Sequence, residues 1–339
     1  MLSIVYEICT KKLPVPFYLA PNSNTMSIHT ILGAGGAIAN ALSEELTERQ
    51  VPFRLVSRHP LTRTGATTLA ADLTDPLQTL EAVRDSEVAY LCVGLKYDYS
   101  VWRRQWPRII DNTIEACKKT KTRLIFFDNV YMYGKTEGAM TEETPYDPSS
   151  RKGDLRARIA TQLMSEVRKG NITATIARSA DFYGPGAGHT GIPNLLVYQR
   201  LKKDQRAQWL VNATVRHSFT YTKDAAKALY LLAGNESSWN QAWHLPTASS
   251  PLTGAEWIER AADALGRDPS RYTVLPKWMI RLGGLFDKTT AELYEMLYQY
   301  ESDYLFDSSK FEKAFQFQPT SYEEGIKATA NAYKNDTGF

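Results

Sequence analysis

The chain has 339 residues, 43% of them apolar and 23% charged, with a formal net charge of +3, the balance of an ordinary globular protein of two domains or of one large domain with a lobe. Its lysines and arginines are spread along the chain, which argues against a nucleic-acid partner, and no apolar run approaches the roughly 20 residues of a membrane span. Cys9, Cys92 and Cys117 are far apart, so neither a disulfide framework nor a zinc knuckle is expected, and a reducing cytoplasm fits.

Residues 1–25 are expected to be a poorly ordered extension. Lys11 and Lys12 interrupt them, Pro14, Pro16 and Pro21 follow, and no small-residue cleavage site marks a signal peptide. Residues 27–32 form an apolar run that ends in glycines. Ala37–Glu48 then has helical spacing, with Ile38, Leu42 and Leu46 on one face. Strands are predicted at Phe53–Ser57, 67–72 and 88–94, a long helix at 102–118, and a strongly apolar fifth strand at 122–128. A helix over 151–167 and a sixth strand over 172–177 follow. This alternation predicts an α/β fold, a doubly wound parallel sheet covered on both faces, with a dinucleotide-binding (Rossmann) domain over 26–183. After Tyr183 the rhythm changes. Gly184, Pro185, Gly186, Gly188 and Gly191 punctuate the chain, and helices dominate, with short strands near 215–221, 242–245 and Tyr272–Leu275. Residues 184–339 are expected to be mainly a smaller C-terminal substrate lobe that closes over the sheet's carboxyl ends, with segments returning to the first domain.

The first strand runs into Gly33-Ala34-Gly35-Gly36-Ala37-Ile38-Ala39. As G-x-G-x-x-G the match fails at Ile38; as G-x-x-G-x-x-G/A it holds with Gly33, Gly36 and Ala39. Either way the chain must turn sharply, let its backbone approach a pyrophosphate and start a helix whose free N–H groups attract anions. Gly33, Gly35, Gly36, Ala37 and Ile38 are therefore expected to cradle a dinucleotide, with Val93 and Gly94 completing the cofactor edge. The second strand ends in Ser57-Arg58, where an NAD-preferring fold usually places an acid for the ribose 2′-hydroxyl. Arg58, assisted by Ser57, instead suits a 2′-phosphate, so NADP is expected ahead of NAD; a plain surface arginine is the alternative. Asp72-Leu73 either bound the adenine or cap the next turn.

With these landmarks the chain resembles an extended-type short-chain dehydrogenase/reductase of the NAD-dependent epimerase/dehydratase family, over about residues 27–335. Six segments carry the resemblance in order: ILGAGGAIANAL, AADLTD, LIFFDNVYMYG, IARSADFYGPG, HSFTYTKDAAKAL and FDSSKFEKAFQFQPTSYEEGIKAT. It implies an NADP-dependent oxidoreductase or epimerase/dehydratase-like enzyme acting on a small carbonyl or sugar-like substrate, with a homodimer allowed. The family usually places Ser or Thr four residues before the Tyr of its Tyr-Gly turn, and Tyr-x-x-x-Lys on the next helix. Here the turn is Tyr133-Gly134, the matching position is Asn129, and the helix offers Lys152 and Arg156.

The standard proton donor is therefore absent, and three readings stand: an atypical enzyme, a cofactor-binding sensor without turnover, or a scaffold that has lost its ligand. For the enzyme, Asp128 and Asn129 stand at the carboxyl end of the fifth strand, Lys152 is a cationic donor or anion clamp, and Arg156 is a holder of ribose hydroxyls. Tyr97 or Tyr99 is a source of a phenol. The competing readings make Asp128 a turn cap, Lys152 and Arg156 a solvated helix face, and Tyr97, Tyr99, Tyr131, Tyr133 and Tyr183 packing residues. His29, His59, His189, His217 and His244 show no metal-ligand spacing, so no metal is expected; His189 reads as a surface loop residue or a substrate contact.

Overall fold

The computed structural model describes residues 28–59, 61, 63 and 65–335; the expected extension over 1–25 and Cys9 lie outside them. β1 (Ile28–Leu32) leads into α1 (Ala37–Glu48), and Ile38, Leu42 and Leu46 are buried as their spacing predicts. β2 (Phe53–Ser57) and β3 (Ala66–Ala70) are followed by α2 (Pro76–Val83), a helix too short for its periodicity to announce it. Its signal is local instead: Asp75 accepts from the N–H groups of Leu77 and Gln78, and Pro76 occupies the first turn. β4 (Ser86–Leu91), α3 (Tyr99–Thr120), β5 (Arg123–Asp128), β6 (Ala139–Met140), α4 (Arg151–Arg168), β7 (Ala174–Arg178) and β8 (Asp181–Tyr183) follow. α3 starts before the predicted residue 102 because the Asp98 carboxylate caps Ser100 N–H at 2.9 Å.

Beyond β8 come α5 (Gln199–Lys202), β9 (Ala207–Leu210), β10 (Arg216–His217), β11 (Phe219–Tyr221), α6 (Thr222–Ala233), β12 (Ala242–His244) and β13 (Leu252–Thr253). α7 (Gly254–Leu265), β14 (Tyr272–Leu275), α8 (Lys277–Gly283), α9 (Lys288–Leu293), a 3-10 segment (Tyr294–Tyr300), β15 (Leu305–Phe306), α10 (Ser309–Phe315) and α11 (Tyr322–Lys334) complete the chain.

Seven strands form one parallel sheet in the order β12-β7-β5-β4-β1-β2-β3. The chain winds outward from β1 through β2 to β3, then returns to the other side of β1 with β4. The order reverses between β1 and β4, where such sheets open a crevice at their carboxyl ends. On one face α3 and α4 bury Trp102, Trp106, Ile110 and Leu163; on the other α1 and α6 bury Leu42, Leu46, Leu229 and Leu232. β12 pairs with β7, with Ala242 opposite Ile176 and His244 opposite Arg178, so sequence from beyond residue 184 does return to the sheet. A third cluster, with Trp209, Phe219, Trp257 and Tyr322, lies in the C-terminal half.

His29 is buried in β1, its Nδ1 2.8 Å from the Tyr90 hydroxyl, and burial lowers its pKa to about 4. Burial, joined by the Arg178 charge, likewise holds His244 well below the ordinary histidine value. Both are neutral when folded, so the unfolded chain binds the extra protons. Stability is then whole above about pH 6.5 and falls as pH drops toward 4, by on the order of 2 kcal/mol at pH 5 for His29 alone. Denaturant titrations at pH 7 and pH 5 test this; a His29→Gln variant with the same pH slope as the parent would remove His29 from the account.

Candidate active site

β1 ends at Leu32 and the chain turns through Gly33 and Gly35, at φ +93° and +97°. The N–H groups of Gly33 and Ala34 both donate to the Val56 carbonyl at 2.9 Å, tying the turn to β2. A Cβ on Gly33 would lie 2.6 Å from the Cα of Val93, so only glycine fits, and Val93 serves to back the turn. Gly36 is the N-cap of α1 and supplies no side-chain acceptor; no described atom lies within 4 Å of where its Cβ would stand. The first-turn N–H groups at Ala37 and Ile38 have no acceptor within the helix, although their side chains are buried in the core. A helix start of this kind is a seat for an anion. Gly94 is exposed at the same edge.

Arg58 stands exposed just past β2. The Ser57 hydroxyl donates to the His59 carbonyl, so it shapes the turn rather than offering its proton outward. Asp72 takes its turn-capping alternative: its Oδ1 accepts from the Thr74 N–H at 2.9 Å and hydroxyl at 2.8 Å. Those bonds, helped by the Arg58 charge, hold its carboxyl below the usual range. Leu73 is a core residue beneath α2 and α3. Cys92, just past β4, and Cys117 in α3 are free thiols pushed up to about 12 by burial, far from a nucleophile's range at neutral pH.

For Lys152 and Arg156, on α4, the solvated-face reading fails. Lys152 is 0% exposed and Arg156 3%. Lys152 Nζ donates to a Glu292 carboxylate oxygen, to the Glu292 carbonyl at 3.1 Å and to Glu295 Oε1 at 2.7 Å. It also lies 4.6 Å from the centre of the Tyr97 ring, so Tyr97 packs under the cation as a face. Arg156 donates through Nε (2.8 Å) and one terminal nitrogen to Asp128 Oδ1, with its guanidinium over Trp106 and Phe126 at 4.4 and 4.8 Å. That arrangement turns Arg156 toward β5 and corrects its expected grip on ribose hydroxyls. Asp128 Oδ1 also accepts from the Asn129 N–H at 2.8 Å, and Asn129 Oδ1 caps Tyr131 N–H at 3.1 Å. His189 is exposed in its loop.

Sequence reasoning missed the partners. Arg178, fully buried at the end of β7, donates to the Tyr133 hydroxyl at 2.6 Å and the Tyr146 hydroxyl at 2.7 Å. Tyr133 is 2.7 Å from His244 Nε2, and His244 Nδ1 is 2.8 Å from the Asp307 carbonyl. A carbonyl only accepts, so Nδ1 carries the hydrogen and Nε2 accepts from Tyr133. Tyr133 is thus a hydrogen-bonding link as well as a packing residue. A cation closing the apolar strand ATIAR was the available signal for Arg178. For Glu292 and Glu295 the only signal was their spacing of three on a late helical segment.

The NAD dependent epimerase/dehydratase family model matches residues 29–243. No curated protein matches the sequence. Among solved structures, the dTDP-glucose 4,6-dehydratase DesIV of Streptomyces venezuelae, with NAD and TYD bound, is 16% identical with a TM-score of 0.74, covering 91% of this chain and 97% of that one. The UDP-glucose 4-epimerase of Thermus thermophilus, in complex with NAD, is 16% identical with a TM-score of 0.73, covering 91% and 99%. The UDP-N-acetylglucosamine 4-epimerase of Bacillus cereus is 14% identical with a TM-score of 0.72, covering 91% and 96%. At these identities the likeness is one of fold. No helix among the described residues is long and apolar enough to cross a membrane.

Proposed function

Because the chain belongs to the NAD-dependent epimerase/dehydratase family, we propose that it is an atypical enzyme of that family that binds NADP(H) ahead of NAD(H) and acts on a small carbonyl or sugar-like substrate. The observation that carries the reading is the uncapped start of α1 at Gly36, open at the crevice between β1 and β4, with Arg58 at the end of the neighbouring strand. The backbone of Gly35, Gly36, Ala37 and Ile38 suits a pyrophosphate, and Arg58 suits a ribose 2′-phosphate. DesIV and the Thermus epimerase hold NAD; the preference proposed for this chain rests on a cation standing where an acid would bind the 2′-hydroxyl. Two free, buried thiols fit a reducing cytoplasm.

When bound, the nicotinamide supplies or accepts the hydride. The chain's part is position and proton handling. Lys152 stands at the position of the family's tyrosine and holds its proton at Nζ, with the Glu292 and Glu295 carboxylates as adjacent acceptors. We assign proton exchange with the substrate oxygen to this cluster, and the fixing of α4 against β5 to the Asp128–Arg156 pair. One observation favours the second reading, a non-catalytic NADP(H) sensor: Lys152 and Arg156 are each matched by acids from the chain itself. Following NADPH consumption over a panel of carbonyl and nucleotide-sugar substrates separates the two. An enzyme consumes NADPH with at least one; a sensor binds it and consumes none.

Arg58→Ala is expected to weaken NADPH about tenfold or more and leave NADH nearly unchanged, the effect of losing charge-assisted bonds to one phosphate. Fluorescence titration with both cofactors checks this. Equal affinities in the parent chain would end the argument for NADP.

A further inference from the structure

The most exposed apolar surface among the described residues lies on α8 and the turn that follows it. Six of the nine large apolar side chains left exposed there and elsewhere fall between Trp278 and Tyr294. Trp278, Leu282 and Phe286 recur at intervals of four, with Met279 and Leu285 beside them, so they share one helical face. The turn carries that face past α8, because the N–H groups of Leu285 and Phe286 donate to the carbonyls of Leu282 at 3.1 Å and Gly283 at 3.0 Å. Ile280, off this face, is buried. A surface helix ordinarily turns its apolar stripe to the core; this one shows it to solvent.

The face is braced by the rest of the fold. Lys288 pairs with the Asp98 carboxylate at 2.5 Å, Lys277 with Glu301, and Glu292 of α9 with Lys152. Gly284 lets α8 close on α9, since a Cβ there would lie 2.9 Å from the Cα of Ala291. The exposed fractions of the five side chains on the face run from 40% at Met279 to 92% at Phe286, which at about 200 Å² per large side chain leaves roughly 600 Å² of apolar surface open. The largest such patch on a typical monomer is about 300–600 Å², and each member of a stable protein pair buries about 800 Å². Before any polar rim is counted, the face supplies about three-quarters of one side of such a pair.

Its charges select the occupant. Lys277 and Lys288 already have acids of the chain itself. Arg281 and Asp287 are exposed and take part in no ion pair among the described residues; Asp287 caps the Thr290 N–H at 2.6 Å. One cation and one anion on the same face make it complementary to itself. Across a twofold axis, Arg281 of each copy is free to meet Asp287 of the other. A partner of one sign, such as an anionic lipid surface, would match Arg281 and oppose Asp287.

We propose that the α8–α9 hairpin is an interface between two copies of this chain, related by a twofold axis and closed over Trp278, Leu282, Leu285 and Phe286. The inference does not depend on the enzyme reading.

Sedimentation velocity of the full chain over a wide range of concentration tests it, and a dimer is expected. Phe286→Glu should weaken the pairing about thirtyfold or more, the loss of one central aromatic anchor. Its melting curve, taken at a dilution where both proteins are monomeric, should match the parent's, because the side chain replaced lies in solvent. Arg281→Glu and Asp287→Lys should each weaken the pairing of like copies, and an equal mixture of the two should dimerise more tightly than either alone, because every cross-copy contact then joins opposite charges. A parent chain that stays monomeric, a dimer that Phe286→Glu leaves intact, or a mixture no tighter than its components overturns the proposal. A monomer that binds phosphatidylserine-containing vesicles, and loses them on Phe286→Glu, would give the face to a lipid surface instead.

Discussion

Gly36→Asp is expected to keep the protein folded and to abolish dinucleotide binding. Gly36 has ordinary extended dihedrals, φ −77° and ψ 162°, and no described atom crowds the place its Cβ would take. Aspartate is a favoured N-cap residue, so stability should hold or rise by a few tenths of a kcal/mol. The same carboxylate would accept the first-turn N–H groups and set a negative charge where the pyrophosphate must come. Affinity for NADPH should fall by about a hundredfold or more, in line with the loss of charge-assisted bonds plus direct repulsion. Isothermal titration beside a denaturant melt reads both effects at once. Unchanged NADPH affinity in a folded Gly36→Asp protein would mean that the cofactor does not sit on α1.

The second large effect is at Lys152. Removing its side chain strands the Glu292 carboxylate and leaves Glu295 to Arg151 alone, and breaking a buried ion pair from one side costs about 3–5 kcal/mol. Lys152→Ala should therefore melt well below the parent. Lys152→Met combined with Glu292→Gln and Glu295→Gln removes the charges together and should recover much of that loss. In this triple variant turnover should fall by about a hundredfold or more, the scale of a lost acid–base group, while NADPH affinity changes less than about threefold. Parent-like turnover in a folded triple variant would leave Lys152 a structural cation only.

Much of the fold can be read along the chain because its signals are local. Ala37–Glu48 keeps one apolar face, Phe53–Ser57 is bounded by turn residues, and the glycines of the first turn sit between a strand and a helix. The predicted strand ends slip where tertiary contacts intervene. Val93 and Gly94 leave the ladder of β4 because Val93 backs Gly33, and Asp72 leaves β3 to cap its own turn. The candidate site divides in the same way. The glycine turn and the start of α1 depend on backbone and were legible. The partners of Lys152 lie about 140 residues away on another element, and whether a lysine faces water or two glutamates is decided only when those elements meet. Pattern alone could not separate a solvated helix face from a buried clamp.

The Lys152–Glu292–Glu295 clamp also constrains how this lineage can change. Placing tyrosine at position 152 by one substitution would leave the Glu292 carboxylate without a counter-cation and Glu295 with Arg151 alone, a step that takes a large share of a folded chain's stability. Neutralising either glutamate first would leave a lysine less well matched, also at a loss. A route to a phenol at this position therefore runs through less stable intermediates, and descendants of this chain should keep all three residues or replace them together.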